Sequence, residues 1–362
     1  MNDNQIEILT LDDDVIKLKE VKIKKSPKKK TIIAFIILDI LAVTGLFLTY
    51  GPIDYFRDFL VTTAMRTQSH KYLAYIFYSN KMIDKVMANN YILEVSENTN
   101  ADDIVVGDNQ DTGVYESVYE EQILKRDPNN LDYKIIDISG KNYKGWKYQG
   151  YLVAIYDSSR VDLAVAKKLG VIGQRLRQIT KENNALLGIN ASGFFDVNEQ
   201  GMGEEPTGMV IADGKIIRSG NGVGSMAGFN KENVLVLAKQ TAQQAVNAGI
   251  RDAVDFGPFL IVNGKSAFIK GDGGWGLQPR TVLAQRKDGI VLFLIVDGRQ
   301  SHSTGIDIPE MIKILTRYRA HNAVNLDGGA SSALVVNNQL YSKPCALNET
   351  GERWLPNAWI LK

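Results

Sequence analysis

Three dipeptides restrict what this chain can fold into. Asp213-Gly214, Asn263-Gly264 and Asp288-Gly289 each stand between two short apolar runs. Asn-Gly and Asp-Gly tolerate the positive φ of a tight hairpin turn, so each predicts a pair of antiparallel strands. The paired runs are 209–212 with 215–218, 259–262 with 266–269, and 280–285 with 290–296. Further strands are expected at 135–138, 151–156, 161–166, 186–190, 234–238 and 358–361. Helices are fewer: about 174–182, 242–248 and 307–319, the last opened by Asp307 as N-cap with Pro309 and Glu310 in its first turn. A parallel α/β fold would alternate strands with crossover helices, and this sequence does not. The expected class is α+β, mostly antiparallel sheet with a few helices, preceded by a single transmembrane helix.

That transmembrane helix is expected at 31–50, a mostly apolar run of 20 residues, long enough to span a bilayer. A charged tail over 1–30 precedes it, ending in Lys28, Lys29 and Lys30. Lysines on that side predict a cytoplasmic N-terminus, with the rest of the chain exported and anchored to the cell membrane. Asp39 falls inside the run, where an ionisable group is costly. The rival reading is a cleaved signal peptide, but the charged region is long and no A-x-A site follows. Residues 51–90 show helical spacing and read as a juxtamembrane segment. Residues 91–132 read as a solvated acidic linker: from Glu94 to Glu121 there are nine acidic residues and no Lys or Arg. The domain of interest is expected at 133–362.

Composition excludes more than it identifies. A net charge of +1 over 362 residues gives no case for nucleic acid. One cysteine, Cys345, excludes an intramolecular disulfide. Neither a His/Cys cluster nor H-E-x-x-H is present, so no zinc site or other cofactor is expected, although carboxylates beside a phosphate could recruit Mg²⁺ or Ca²⁺. G-x-S-x-G is missing as well, which argues against a serine hydrolase.

Four segments put polar groups at the ends of apolar runs: Gly188-Ile-Asn-Ala-Ser-Gly-Phe-Phe-Asp196, Leu277-Gln-Pro-Arg-Thr281, Val296-Asp-Gly-Arg-Gln-Ser301 and Asn325-Leu-Asp-Gly-Gly-Ala-Ser-Ser332. Glycine lets backbone approach a ligand closely. Asp327 and Asp297 each end a run and precede glycine. If their strands are neighbours, the two carboxylates could face one cleft as an acid/base pair; Asp297 could instead cap its own turn. Arg280 and Arg299 are candidate phosphate clamps, since guanidinium binds phosphate oxygens bidentately. Asn190 and Ser192 could bind a sugar, Phe194 or Phe195 could stack on it, and Ser331 and Ser332 offer hydroxyls to a phosphate. Asp196 is a weaker catalytic candidate, and His302 reads as an acid, a metal ligand or a loop residue. The run Gly271-Asp-Gly-Gly-Trp-Gly276 reads either as a mobile lid carrying Trp275 or as a flexible hairpin end.

In combination and order, these segments resemble the phosphodiester glycosidase family, from about Tyr133 onward. The resemblance implies an antiparallel α+β domain that hydrolyses a glycosyl-1-phosphodiester. It implies Asp327, Asp297 and Arg280 as catalytic groups. Asn190, Ser192, Gly193, Phe195, Thr281, Arg299, Gly328, Gly329 and Ser331 would then bind substrate. The expected partner is a sugar-1-phosphodiester or an envelope polysaccharide. Two departures stand out: Asn190-Ala-Ser-Gly-Phe-Phe195 where the family commonly has a more glycine-rich Asn-Gly-Gly-Phe-Phe, and Ala330 where it has a third glycine. Two other classes stay open. One is a non-catalytic sugar-phosphate binder in exopolysaccharide assembly. The other is a metal-dependent phosphodiesterase that breaks P–O.

Overall fold

A computed structural model describes residues 29–51, 54–67, 70–196 and 200–362. All of the charged tail except Lys29 and Lys30 lies outside them. The chain divides into two compact units, Met1–Arg57 and Asp58–Lys362. The first holds the helix Lys29–Tyr50, 22 residues whose described apolar side chains, from Ile32 to Phe47, are exposed. It is long and apolar enough to cross a membrane.

The second unit is built on a seven-stranded antiparallel sheet. Its order is Lys265–Ser266, Phe259–Val262, Ala320–Asn325, Arg280–Arg286, Val291–Val296, Gly150–Ile155 and Tyr133–Asp137. The central strands are buried on both faces, so Val291–Val296 and Gly150–Ile155 read as near-continuous apolar runs rather than alternating ones, while Arg280–Arg286 is apolar at its centre and carries buried polar residues at its ends. One face, with Val153, Leu283, Phe293 and Val324, packs against Leu187, Ile189, Phe229, Leu237 and Trp359 of two five-stranded sheets. The other face, with Leu152, Val282, Leu294 and Ala323, is covered by Met311, Ile314 and Leu315 of the helix Ile308–Arg317. Asp307 caps that helix by accepting from the Glu310 N–H at 3.1 Å, and Pro occupies its first turn.

All three hairpins form where the dipeptides predict them: Ala212 pairs with Lys215, Val262 with Lys265, and Gln285 with Val291. The expected α+β class with mostly antiparallel sheet is the one observed. Two central strands of one five-stranded sheet, Gly224–Asn230 and Ile250–Asp255, were not anticipated. Gly224, Gly228 and Asn230 make the first look like a loop, but Gly228 lies so close to Asp252 and Ala253 that any side chain would collide with them.

The segments expected as juxtamembrane helix and acidic linker are fastened to this unit from Asp58 onward. Tyr91–Leu93 pairs with Phe268–Lys270. Ile123 is fully buried. Glu120 and Glu116 bind Arg319, and Glu97 binds Lys265 at 2.7 Å. The acidic residues had basic partners far along the chain, which composition of the local stretch cannot reveal.

Candidate active site

The middle strand of the large sheet starts at Arg280, and its two neighbours end beside it. Val296 pairs with Arg280, and Asn325 with Val282. Pro279 is gripped between the following turns. A Cβ on Gly298 would lie 2.6 Å from the Pro279 nitrogen, and one on Gly328 would lie 3.0 Å from its carbonyl oxygen. Glycine is therefore required at 298, and at 328 any side chain would press on Pro279. A cleft of about 770 Å³ opens at this edge, lined by Arg280, Arg299, Asp327 to Ser331, Asp196, Arg353, Trp275 and Trp354.

Among the described residues, Asp327 is the cleft carboxylate without a salt-bridge partner. Its side chain faces the cleft yet is enclosed by protein, and burial pushes its pKa up to about 6, against hydrogen bonds from Ser331 and the Gly328 N–H that favour the charged form. Its loop runs through Gly329, at φ +59°, into a short 3₁₀ turn. Positive φ is needed only at Gly329, so Ala330 fits the turn without strain. Ser331 serves the carboxylate.

Arg280 and Arg299 differ in kind. Arg280 is 2% exposed. It donates through Nε to Ile306 O at 3.1 Å and through Nη2 to Trp275 O at 2.8 Å and Gly276 O at 2.7 Å. Burial lowers its pKa to about 10, still far above neutrality. Nη1 has no acceptor among the described residues. Arg299 is exposed at φ +57°. Its Nε donates to Gln278 Oε1 at 2.6 Å, and its guanidinium lies along Gly329, where a Cβ would be 3.3 Å from Nη2.

Asp297 and Asp327 do not face each other. The Arg280 strand separates theirs. Asp297 is 2% exposed and does not line the cleft. Its oxygens accept from the Lys343 N–H at 3.0 Å and bind His302 Nε2 at 3.3 Å. Burial raises its pKa in spite of these partners. It ties the turn at 297–303 to Lys343.

Other expected substrate groups are structural as well. Asn190 is fully buried: it donates to Asp327 O at 2.7 Å and accepts from Thr281 Oγ1 at 2.8 Å and the Ala333 N–H at 3.2 Å. Ser192 donates its N–H and hydroxyl to Asn357 Oδ1, both at 2.9 Å. Ser332 is 2% exposed. Phe195 is 46% exposed and outside the cleft, whereas Phe194 and Gly193 line it. Asn190→Ala should lower both stability, by about 2–4 kcal/mol for a fully buried group with three bonds, and activity, because it frees the Asp327 backbone. Chemical denaturation beside turnover checks this.

The cleft also holds groups the sequence did not single out. Arg353 binds Asp196 at 2.9 Å and lies over the Phe194 ring. Glu352 beside it binds Arg177 at 2.7 Å. Gly351-Glu-Arg-Trp354 had the composition of a site but no strand end to mark it. The run at 271–276 is fastened at both ends. Asp272 accepts from Thr62 at 2.5 Å and from the Gly274 N–H at 2.8 Å, and its own N–H donates to Asn90 Oδ1. Gly276, at φ +58°, leaves no room for a side chain beside Thr63. This is a clamped wall that presents Trp275. Among the described residues, no group of three or more His, Cys, Asp or Glu side chains is arranged to hold a metal.

Residues 183–362 match the family model described as phosphodiester glycosidase. Over 227 residues, 56% of the chain, the sequence is 26% identical to mouse N-acetylglucosamine-1-phosphodiester alpha-N-acetylglucosaminidase. Over 217 residues, 57% of the chain, it is 24% identical to an SPbeta prophage-derived protein of Bacillus subtilis, YomE. The chain spans 43% and 33% of those relatives' lengths. The catalytic domain of the zebrafish N-acetylglucosamine-1-phosphodiester alpha-N-acetylglucosaminidase shares the fold, with a TM-score of 0.54 at 20% identity, over 65% of this chain and 85% of that one.

Proposed function

Because residues 183–362 form a domain of the phosphodiester glycosidase family, we propose that the protein hydrolyses sugar-1-phosphodiesters at the cleft around Asp327. The observation that carries this is that Asp327, Arg280 and Arg299 line a single cleft with no salt-bridge partner among the described residues. In the reaction, a water oxygen becomes bonded to C1 and the C1–O bond breaks. The electron pair stays on the phosphate oxygen, giving a reducing sugar and a phosphate monoester. Arg299 and Nη1 of Arg280 hold the phosphate and favour the charge that grows on it. Asp327, ionised above about pH 6, activates the water or attacks C1 directly. Phosphate leaves readily, so a second, protonated carboxylate is not required. Asp297 and Asn190 position the two turns.

N-acetylglucosamine-1-phosphodiesters are the first substrates to try, since the mouse relative is named for them. With the helix Lys29–Tyr50 as a membrane anchor and the basic tail in the cytoplasm, the substrates would be phosphodiester-linked sugars of envelope polysaccharide or glycolipid. The apolar length of that helix supports the anchor.

The full chain in detergent, given a panel of sugar-1-phosphodiesters in H₂¹⁸O, should release reducing sugar carrying the label on C1. Label on phosphate together with loss of turnover in EDTA would replace this reading with a metal-dependent P–O cleavage. Binding without turnover across the panel would make the protein a sugar-phosphate carrier instead.

A further inference from the structure

The cleft has more phosphate-binding capacity than one phosphodiester can use, and the excess comes from outside the family domain. Arg66 lines the same cleft as Arg280 and Arg299, yet it lies far upstream of residue 183, where the family match begins. Its Nε donates to Gly274 O at 2.8 Å, and its guanidinium lies 4.8 Å from the centre of the Trp275 ring. Arg280 lies 5.7 Å from the centre of that ring. Arg66 is exposed to the cleft, and partial desolvation of its guanidinium lowers its pKa. Arg280 is lowered in turn by both Arg66 and Arg299, so the three charges share one neighbourhood.

None of the three has a carboxylate within 4 Å among the described residues. The negative groups nearest them are committed elsewhere. Asp272 is occupied by Thr62 and the Gly274 N–H. Asp307 is occupied by the Glu310 N–H and Tyr143. Neither lines the cleft. Arg353, the fourth arginine there, is bound to Asp196.

A phosphodiester exposes two non-bridging oxygens. The free N–H groups of Arg299 and Nη1 of Arg280 suffice for these. Both terminal nitrogens of Arg66 then remain without an acceptor among the described residues, on a fork already fixed by a ring and a carbonyl, which is the condition for binding an anion at low entropic cost.

We infer that Arg66 forms a second anion subsite, so that the preferred substrate carries a further phosphate on the leaving-group side of the scissile one. This deepens the proposed glycosidase reading and rests on it for the identity of the bond broken. The second phosphate could be linked directly, as a diphosphate, or through a short polyol, and the two are separable by assay.

Three substrates with the same sugar decide it with the full chain: an ethyl phosphodiester, a diphosphate ester, and a phosphodiester to glycerol bearing a second phosphate. Arg66→Gln should raise KM about tenfold for one or both two-phosphate substrates, leaving kcat near the parent value and the ethyl substrate within about twofold. The substrate that loses most identifies the linkage. Equal losses on all three would mean that Arg66 only fastens Gly274, and no loss on any would remove it from binding. Both results overturn the inference. Calorimetry with inorganic pyrophosphate and phosphate gives an answer even if no sugar is released, a result that would count against the glycosidase reading alone. The parent should prefer pyrophosphate about tenfold, and Arg66→Gln should lose that preference. A preference that is missing, or that survives the substitution, would sink the subsite.

Discussion

Asp327→Asn is expected to end sugar release, with kcat/KM falling about 10³-fold or more, while making the protein more stable at neutral pH. The direction of the second effect follows from the raised pKa of about 6 against an ordinary 3.8. Between about pH 4 and pH 6 the folded protein holds a proton that the unfolded chain has released. Stability therefore falls as pH rises through that window, and the cost of the buried charge is fully present above it. Two units correspond to roughly 3 kcal/mol. The side chain meets solvent in the cleft, so we expect about 1–2 kcal/mol in practice. Thermal melting at pH 7 should show the Asn variant above the parent, and the gap should close near pH 4. In the parent, kcat/KM should fall away below about pH 6. Retained activity in the Asn variant would remove Asp327 from the chemistry.

Arg280→Ala is expected to damage the fold as well as the reaction. The carbonyls of Trp275, Gly276 and Ile306 would lose their common donor inside the protein. At about 1–3 kcal/mol for each buried group left unsatisfied, the total is on the order of 3–5 kcal/mol. Lysine should not rescue it, because an ammonium cannot reproduce three bonds set by a planar fork. Arg299→Gln is the contrast. Arg299 is exposed and makes one bond, to Gln278, so its loss should raise KM with little change in melting temperature. Urea titration of both variants, read beside KM, separates the two arginines. Equal stability losses would show that Arg299 too is a structural group.

Much of the fold was legible because its signals are local. The turn dipeptides and the cap at Asp307 act within a few residues, and each marks its element correctly. The four polar segments do converge on one sheet edge. Which atoms of them meet the cleft was not legible. Asn190, Thr281 and Ser192 look in sequence like groups offered to a ligand, and in the structure they bond within the protein: Asn190 to backbone, Thr281 to Asn190 and Ser192 to Asn357. A short polar side chain at a strand end does either job, and the choice depends on what the next strand brings. Asp297 is the same case: whether its strand adjoined that of Asp327 depended on the Arg280 strand lying between them, a long-range fact. Arg66 and Arg353 carried no strand-end signal, and Arg66 sat in a segment whose helical spacing read as a juxtamembrane helix.

The clamp on Gly271–Gly276 bears on where this protein can be divided. Thr62, Arg66 and Asn90, which hold that run, all precede residue 133. A chain cut there would keep every residue of the family match and every cleft carboxylate, yet it would strip the Trp275 wall of Thr62, Arg66 and Asn90, leaving only the core and Arg280 to hold it. The smallest portion that carries a whole cleft therefore begins near Asp58, ahead of the acidic stretch. By the same logic, changes confined to 58–90 could reshape what the cleft admits while the reacting groups stay as they are, so kindred proteins could differ in substrate with identical motifs.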